Sequence, residues 1–268
     1  MASRKSKAGA PAEPDSKERL AALDTVSSLA GIAGPGRWLI AEYKPTALFS
    51  LKISLATSSV GKTLVIPTPY AIKMGLVDAA FRAGLSDQEC AGLLKRLIPV
   101  EVRIAPGNRT LVTQTFLKVR QESRDPDPLR PYSSTISYRE VAHQSDAWRW
   151  AFDLAACDHA TAQRMVELFP HISYIGKRGS FVQFRGCGRV VALGTEFTQP
   201  VPRGGSWSPP ERAHIVPLDD FGPDADLETL SSFTQKRPKR DQHRRFVDTI
   251  VPIGIVNTGP GFTEYSRE

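Results

Sequence analysis

Cysteine is scarce in this chain, and the few residues present stand far apart. Cys90, Cys157 and Cys187 are odd in number and form no CxxC pair. A disulfide framework and a cysteine-held zinc are therefore not expected, whereas a reducing, cytoplasmic compartment is. The histidines (His143, His159, His171, His214, His243) show no HExxH or other tight spacing, so neither a metal centre nor another cofactor is expected. No GxSxG elbow marks a nucleophilic serine. No apolar run approaches the roughly eighteen residues that cross a bilayer. The basic, alanine-rich start lacks the apolar segment of a secretory signal. There is no internal repeat.

What is present is an ordinary soluble composition. The chain has 268 residues, 41% apolar and 24% charged, enough to bury a real core. The net charge of +7 is unevenly placed. Residues 1–20 carry Arg4, Lys5, Lys7, Lys17 and Arg19 against Glu13, Asp15 and Glu18, giving +2. "KRPKRDQHRR" (236–245) carries six cations and one acid, giving +5, so the rest of the chain is formally neutral. A basic balance points to a polyanionic partner, and a site in the body must be a local patch.

The first 16 or so residues read as disordered, and "SKERLAALDTVSSLAG" as a short amphipathic helix with Leu20, Leu23 and Leu29 on its apolar side. "TALFSLKISLAT" (46–57) alternates like a strand. "TPYAIKMGLVDAAFRAG" (68–84) is a helix: Thr68 caps it, Pro69 opens it, and Gly84 ends it. Tyr70, Met74, Val77 and Phe81 form one stripe, with Ile72, Leu76 and Ala80 beside it. "SDQECAGLLKRL" (86–97) is a second helix. Strands follow over 98–105, 110–121, 134–143 and 147–155. "ESRDPDPLRPYS" (122–133) reads as a projecting loop, because Pro126 and Pro128 forbid a central strand. A helix over 159–169 closes at Pro170. Residues 198–217 are rich in proline and glycine, "DDFGPDADLETL" is acidic and turn-rich, and "RRFVDTIVPIGIV" is a late strand. This order of elements fits an α+β fold of split β-α-β, ferredoxin-like (RRM-type) plan, with an irregular, β-rich C-terminal region.

"SSVGKT" (58–63) imitates a phosphate loop, but Ala56 stands where the pattern needs glycine and "LVIPTP" follows where it needs a helix. "HISYIGKRGSFVQF" (171–184) is more informative. Gly176, Lys177, Arg178 and Gly179 make either a charged hairpin turn or a nest of backbone N–H groups flanked by two cations, suited to phosphates. Tyr174 and Phe181 add faces on which bases can stack. "TQTFLKVRQESRDPDPLRPY" sets Lys118, Arg120, Arg124 and Arg130 on a strand and its loop, as a solvated face or as a cationic finger over a nucleic-acid strand. "KRPKRDQHRR" is either a solvated basic segment or a direct contact.

Three stretches in order, "PTPYAIKMGLVDAAFRAG", "TISYREVAHQSDAWRWAFDL" and "ISYIGKRGSFVQF", resemble the CRISPR-associated RAMP superfamily over residues 46–195. The resemblance is to the subunit that caps the 5′ end of the guide RNA in type I, Cascade-type surveillance complexes, the fifth numbered Cas family. It implies a ferredoxin-like domain over 38–197 with a thumb within about 106–134. A flexible basic extension (1–37) precedes it and a Pro/Gly-rich, basic extension (198–268) follows. It implies a hold on the 5′ handle of the guide RNA through Gly176–Gly179 and through Tyr138 and Arg139 of the "YRE" strand. The implied partners are guide RNA and the backbone and large subunits, with target DNA as a further candidate, in antiviral defence. The tyrosine, lysine and histidine set with which some relatives cut the guide precursor has no ordered match here, so a binding rather than a cutting chain is expected. Two alternatives stand beside it: a metal-independent endoribonuclease using His143 or His171 with Lys177, and a general RNA-binding scaffold.

Overall fold

Strand β1 (Trp38–Pro45) turns Leu39, Ala41 and Tyr43 into the core and Ile40, Glu42 and Lys44 to the other face. The computed structural model describes residues 36–52, 61–127, 129–204, 210–231 and 236–267. After β1 come a two-residue ribbon, β2 (Leu51–Lys52) with β3 (Thr63–Leu64), and the helices α1 (Pro69–Arg82) and α2 (Asp87–Leu97). Of the strand expected over 46–57, residues 53–57 lie outside the described residues; within 46–52 only Leu51 and Lys52 form a strand, and Phe49 makes an isolated bridge to Ala142.

Local chemistry sets the helix starts. The Thr68 hydroxyl accepts the Ala71 N–H at 3.2 Å, and Pro69 occupies the first position, where its missing N–H costs nothing. Ser86 and Glu89 cap α2 reciprocally. Asp158 accepts the Thr161 N–H at 2.6 Å and opens α3 (His159–Leu168). Each such cap is worth about 1 kcal/mol.

The main sheet has the order β4 (Val102–Ala105), β7 (Trp148–Asp153), β1, β8 (Val182–Val190), with every neighbouring pair antiparallel. Strands β1 and β4 thus run parallel with β7 between them, joined through α1 and α2. Strands β7 and β8 run parallel across β1, joined through α3. Helix α1 packs beside both α2 and α3 over one sheet face. Aromatics fill that layer: Tyr43 stacks on Trp150 at 3.9 Å, and its hydroxyl donates to the Phe169 carbonyl at 2.8 Å. Trp38, with Phe197 and Ala151, packs the opposite face between the guanidinium groups of Arg37 and Arg103.

Between β4 and β7 the chain leaves the sheet as a long hairpin, β5 (Arg109–Asp127) and β6 (Arg130–Gln144). The stretch 122–133, expected as a loop, is the far end of this hairpin. Its prolines do not prevent that. Among the described residues, strand β5 beyond Gln114 pairs with β6 alone, and the ladder slips between Glu122 and Asp127, so the backbone at Pro126 needs no bond. Pro128 lies outside the described residues.

The C-terminal part adds β9 (Gln199–Pro200), β10 (His214–Phe221), a short helix α4 (Leu227–Leu230), β11 (Arg244–Val251), β12 (Gly254–Gly259) and β13 (Phe262–Ser266). Strands β10, β11 and β9 form one sheet, and β13 pairs with the base of β5 to extend the hairpin sheet. Residues Asp219–Phe221, expected as part of a turn-rich stretch, end a regular strand. Pro217 fits there because β10 pairs with β11 on one side only among the described residues. The fold is thus mixed α+β, rich in antiparallel strands. No described helix is long and apolar enough to cross a membrane.

Candidate nucleic-acid interface

The outer face of α1 is the floor of a groove of about 1560 Å³. The stripe Tyr70, Met74, Val77 and Phe81 lines it, while the adjoining row Ile72, Leu76 and Ala80 is what packs into the core. At one end stand Lys52, Arg139, Gly176 and Lys177; at the other, Asp219, α4 and Arg244.

The glycine loop builds the first end. Ile175 is fully buried and anchors it. The Ile175 N–H donates to the Ser180 carbonyl at 3.1 Å, and the Ser180 N–H to the Lys177 carbonyl at 3.1 Å. Gly176 and Gly179 lie at φ +67° and +101°, a region that side-chain-bearing residues reach only with strain. Gly176 also abuts Leu51: a Cβ there would lie 3.2 Å from its Cδ2. This geometry throws Lys177 and Arg178 into solvent. Among the described residues, the N–H groups of 176–179 make no backbone hydrogen bond. The loop therefore offers a run of free donors beside two cations, the chemistry of a phosphate seat.

Tyr174 also lines the groove, but α1 holds it. Its hydroxyl donates to Asp78 Oδ1 at 3.2 Å, Arg82 lies 5.9 Å from its ring, and Arg82 is itself bound to Asp78 and to the His171 carbonyl. Phe181, half exposed, is the freer ring at this end. Arg139 reaches the groove from β6, its Nε donating to the Ser137 hydroxyl at 3.1 Å. Its neighbour Glu140 is structural: its carboxylate accepts the Thr63 N–H at 2.9 Å. Gly61 pairs with Arg139 and Thr63 enters β3, so the "GKT" of 61–63 runs into a strand, and no helix follows until Pro69.

The remaining expected residues form a second group. Tyr138 faces the other side of β6, opposite Phe116, with ring centroids 4.8 Å apart, and its hydroxyl meets Gln114. Lys118 and Arg120 lie on that same hairpin face, opposite Ile136 and Ser134. Phe116 is 71% exposed and Ile136 73%, so this is an open aromatic, aliphatic and cationic surface. Arg124 and Arg130 belong to the hairpin's far end by backbone, and their side chains lie outside the described ones. The expected residues thus divide between a groove and a hairpin face. His143 is exposed on β6 opposite Leu111, and no group of three His, Cys, Asp or Glu among the described residues is placed to hold a metal.

The groove's other wall was not anticipated. Lys73, on α1, is fully buried, and its ammonium lies 2.7 Å from Asp220 Oδ1. Burial pulls its pKa down from the usual lysine value, and Asp220 opposes that pull. Asp220 also takes Arg245 at 2.9 Å. Asp219, 1% exposed at its side chain, binds Arg244, whose guanidinium lies 4.2 Å above the Tyr70 ring. "DD" on β10 and "RR" on β11 thus clamp the C-terminal ribbon onto α1. Adjacent like charges in both runs, each next to an apolar strand, were the available signal.

No family model matches the chain, and no curated protein matches it in sequence. Among solved structures, a CRISPR protein from Archaeoglobus fulgidus is similar at 12% identity, covering 85% of this chain and 91% of that one with a TM-score of 0.40. A chain of a CRISPR RNA-guided surveillance complex is similar at 17% identity, covering 80% and 90%, with a TM-score of 0.38. A chain of the Type III-B Cmr-beta complex bound to cognate target RNA is similar at 10% identity, covering 66% and 67%, with a TM-score of 0.42.

Proposed function

We propose that this chain is a CRISPR RNA-binding subunit of the RAMP kind, one that holds the 5′ handle of the guide RNA in a type I surveillance complex without cutting it. The observation that carries the reading is the glycine loop: two left-handed glycines, unengaged N–H groups and two solvent-facing cations at the mouth of a groove that Arg139 and Lys52 also enter. In this reading the sheet order β4-β7-β1-β8 with its two helical crossovers is the ferredoxin-like palm, residues 38–197 are the RNA-binding domain, and the β5–β6 hairpin is the thumb. Phosphates sit on the loop, and splayed bases lie over the groove and on exposed rings such as Phe181 and Phe116. The backbone and large subunits are the protein partners.

The test uses a labelled handle RNA and an uncut repeat RNA, in EDTA, with binding read on native gels and cleavage on denaturing gels. Handle binding without cleavage, weakened in Lys177→Ala/Arg178→Ala, is the expected result. The double variant should also flatten the salt dependence by about 1.4 in log–log slope, at ~0.7 per phosphate contact on a single strand. Unchanged binding in that variant removes the loop from the site. Site-specific cleavage replaces the reading with a metal-independent ribonuclease.

A further inference from the structure

The basic run at 236–245 divides into two sets of cations. Arg244 and Arg245 pair with Asp219 and Asp220, and Lys236 meets Glu228 at 2.6 Å. Arg237, Lys239 and Arg240 remain exposed. Among the described residues, Arg237 and Lys239 have no acidic side-chain partner, and Arg240 has only its neighbour Asp241 at 3.9 Å.

The backbone that presents Lys239 and Arg240 is held by the turn that follows them. The Asp241 N–H donates to the Arg244 carbonyl at 2.8 Å, and the His243 N–H to the Lys239 carbonyl at 3.0 Å. The Lys239 N–H donates to Nδ1 of His243 at 3.0 Å. Two further bonds tie the turn to the end of β10, from Gly222 N–H to the His243 carbonyl and from Asp224 N–H to the Gln242 carbonyl. Asp241 sits at φ +64°, a strained conformation for a residue with a side chain, which persists only where its surroundings fix it. Gly222 meets the turn so closely that a Cβ there would lie 2.1 Å from the Gln242 carbonyl oxygen. Arg240 lies 5.3 Å from the centre of the Phe246 ring, which orients its guanidinium plane.

A run that served only solubility would need neither this bonding nor this sorting. We propose that Lys239 and Arg240, held by this turn, together with the exposed Arg237 beside them form a cationic knuckle that grips a nucleic-acid phosphodiester backbone, separately from the glycine loop. The shared ligand chemistry is the phosphodiester chain, supplied by RNA or by DNA.

Full-length chain is titrated with random-sequence single-stranded RNA, single-stranded DNA and duplex DNA from about 50 mM to about 200 mM salt. Arg237→Ala/Lys239→Ala/Arg240→Ala should lower the log–log salt slope by about 2 on a single strand or about 2.7 on a duplex. Arg237→Ala/Lys239→Ala, which leaves the Arg240–Phe246 contact in place, should lower it by about two-thirds as much. Arg237→Lys/Arg240→Lys should leave it unchanged. An effect confined to RNA makes the knuckle a guide contact; one confined to duplex DNA makes it a target contact. The proposal is overturned by equal slopes for the wild type and the triple variant on all three probes. It is likewise overturned if the unmodified chain binds none of the probes at the lowest salt. Because Lys177 and Arg178 are intact in every variant, equal slopes overturn the knuckle and leave the glycine-loop reading untouched, whereas an unmodified chain that binds no probe counts against both.

Discussion

Asp220→Asn is the sharpest test of what holds the groove open. The substitution keeps the side chain's shape and removes its charge. Lys73 then stays fully buried with its Asp220 contact stripped of charge, leaving the Ile98 carbonyl at 3.4 Å and the Phe221 ring at 5.6 Å, neither of which carries a charge. Stranding a buried charge in this way costs about 3–5 kcal/mol. For a chain of this size that lowers the melting midpoint by about 6–20 °C, at roughly 2–4 °C per kcal/mol. The reverse perturbation is milder. In Lys73→Met the apolar stem is retained, and Asp220 keeps Arg245 at 2.9 Å and its own link to the Phe221 N–H at 2.8 Å. Its expected cost is about 1–2 kcal/mol. The double variant should be more stable than Asp220→Asn alone, because no charge is left stranded. Thermal and urea unfolding give the three values, and hydrogen exchange over 214–251 shows whether the ribbon detaches from α1. Equal losses in the two single variants would refute the argument, since they would mean that water reaches Lys73.

Other expectations follow from the same geometry. Gly179→Ala, at φ +101° with open space around it, should cost about 1–2 kcal/mol in strain, and Gly176→Ala should cost more because Leu51 also obstructs it; unfolding curves rank the two. Arg139→Ala should weaken RNA binding and leave the melting midpoint within about 1 °C, because among the described residues its side chain bonds only the Ser137 hydroxyl. Acid should destabilise the chain in a defined direction. Asp153, held low by its bonds to Arg37, and Asp158 and Asp226, held low by helix N–H groups, contribute stability above the usual value of 3.8. That contribution is lost as pH falls through their folded values. Urea midpoints should therefore drop between pH about 5 and about 2, less steeply in Asp153→Asn.

The helices were legible because their signals are local. Thr68–Pro69 and Ser86 each mark a start, and Gly84 and Pro170 mark ends; Glu89 and Asp158 complete the caps in the structure. The glycine loop was legible for the same reason. The hairpin's full length was not, because a proline in sequence does not reveal whether its strand has a neighbour on the N–H side. The clamp was hidden by separation. Nothing near Lys73 announces Asp220, 147 positions away, and a lysine on a helix normally faces water. Tyr138 and Arg139 read as one motif, yet alternation puts them on opposite faces, one on the hairpin surface and one in the groove.

The clamp also changes what the net charge means. By count the body is neutral and the surplus lies near the termini. In the folded chain, Asp219, Asp220 and Glu228 of the body answer cations of the 236–245 run. Asp219 and Glu228 are then no longer available to offset the body's own cations, and Asp220 is shared between Lys73 of the body and Arg245 of the run. The surplus that composition assigns to the C-terminal run is thereby partly transferred to Lys52, Arg139, Lys177 and Arg178. Coulombic attraction at such solvent-facing sites is screened within about 8–10 Å at ordinary salt, so the position of a charge matters more than the total. A neutral body with its acids committed elsewhere can therefore hold a phosphate seat that its composition does not reveal. By the same logic Asp220→Asn should affect RNA binding chiefly by displacing the groove's far wall, and Lys73→Met should leave binding near that of the wild type.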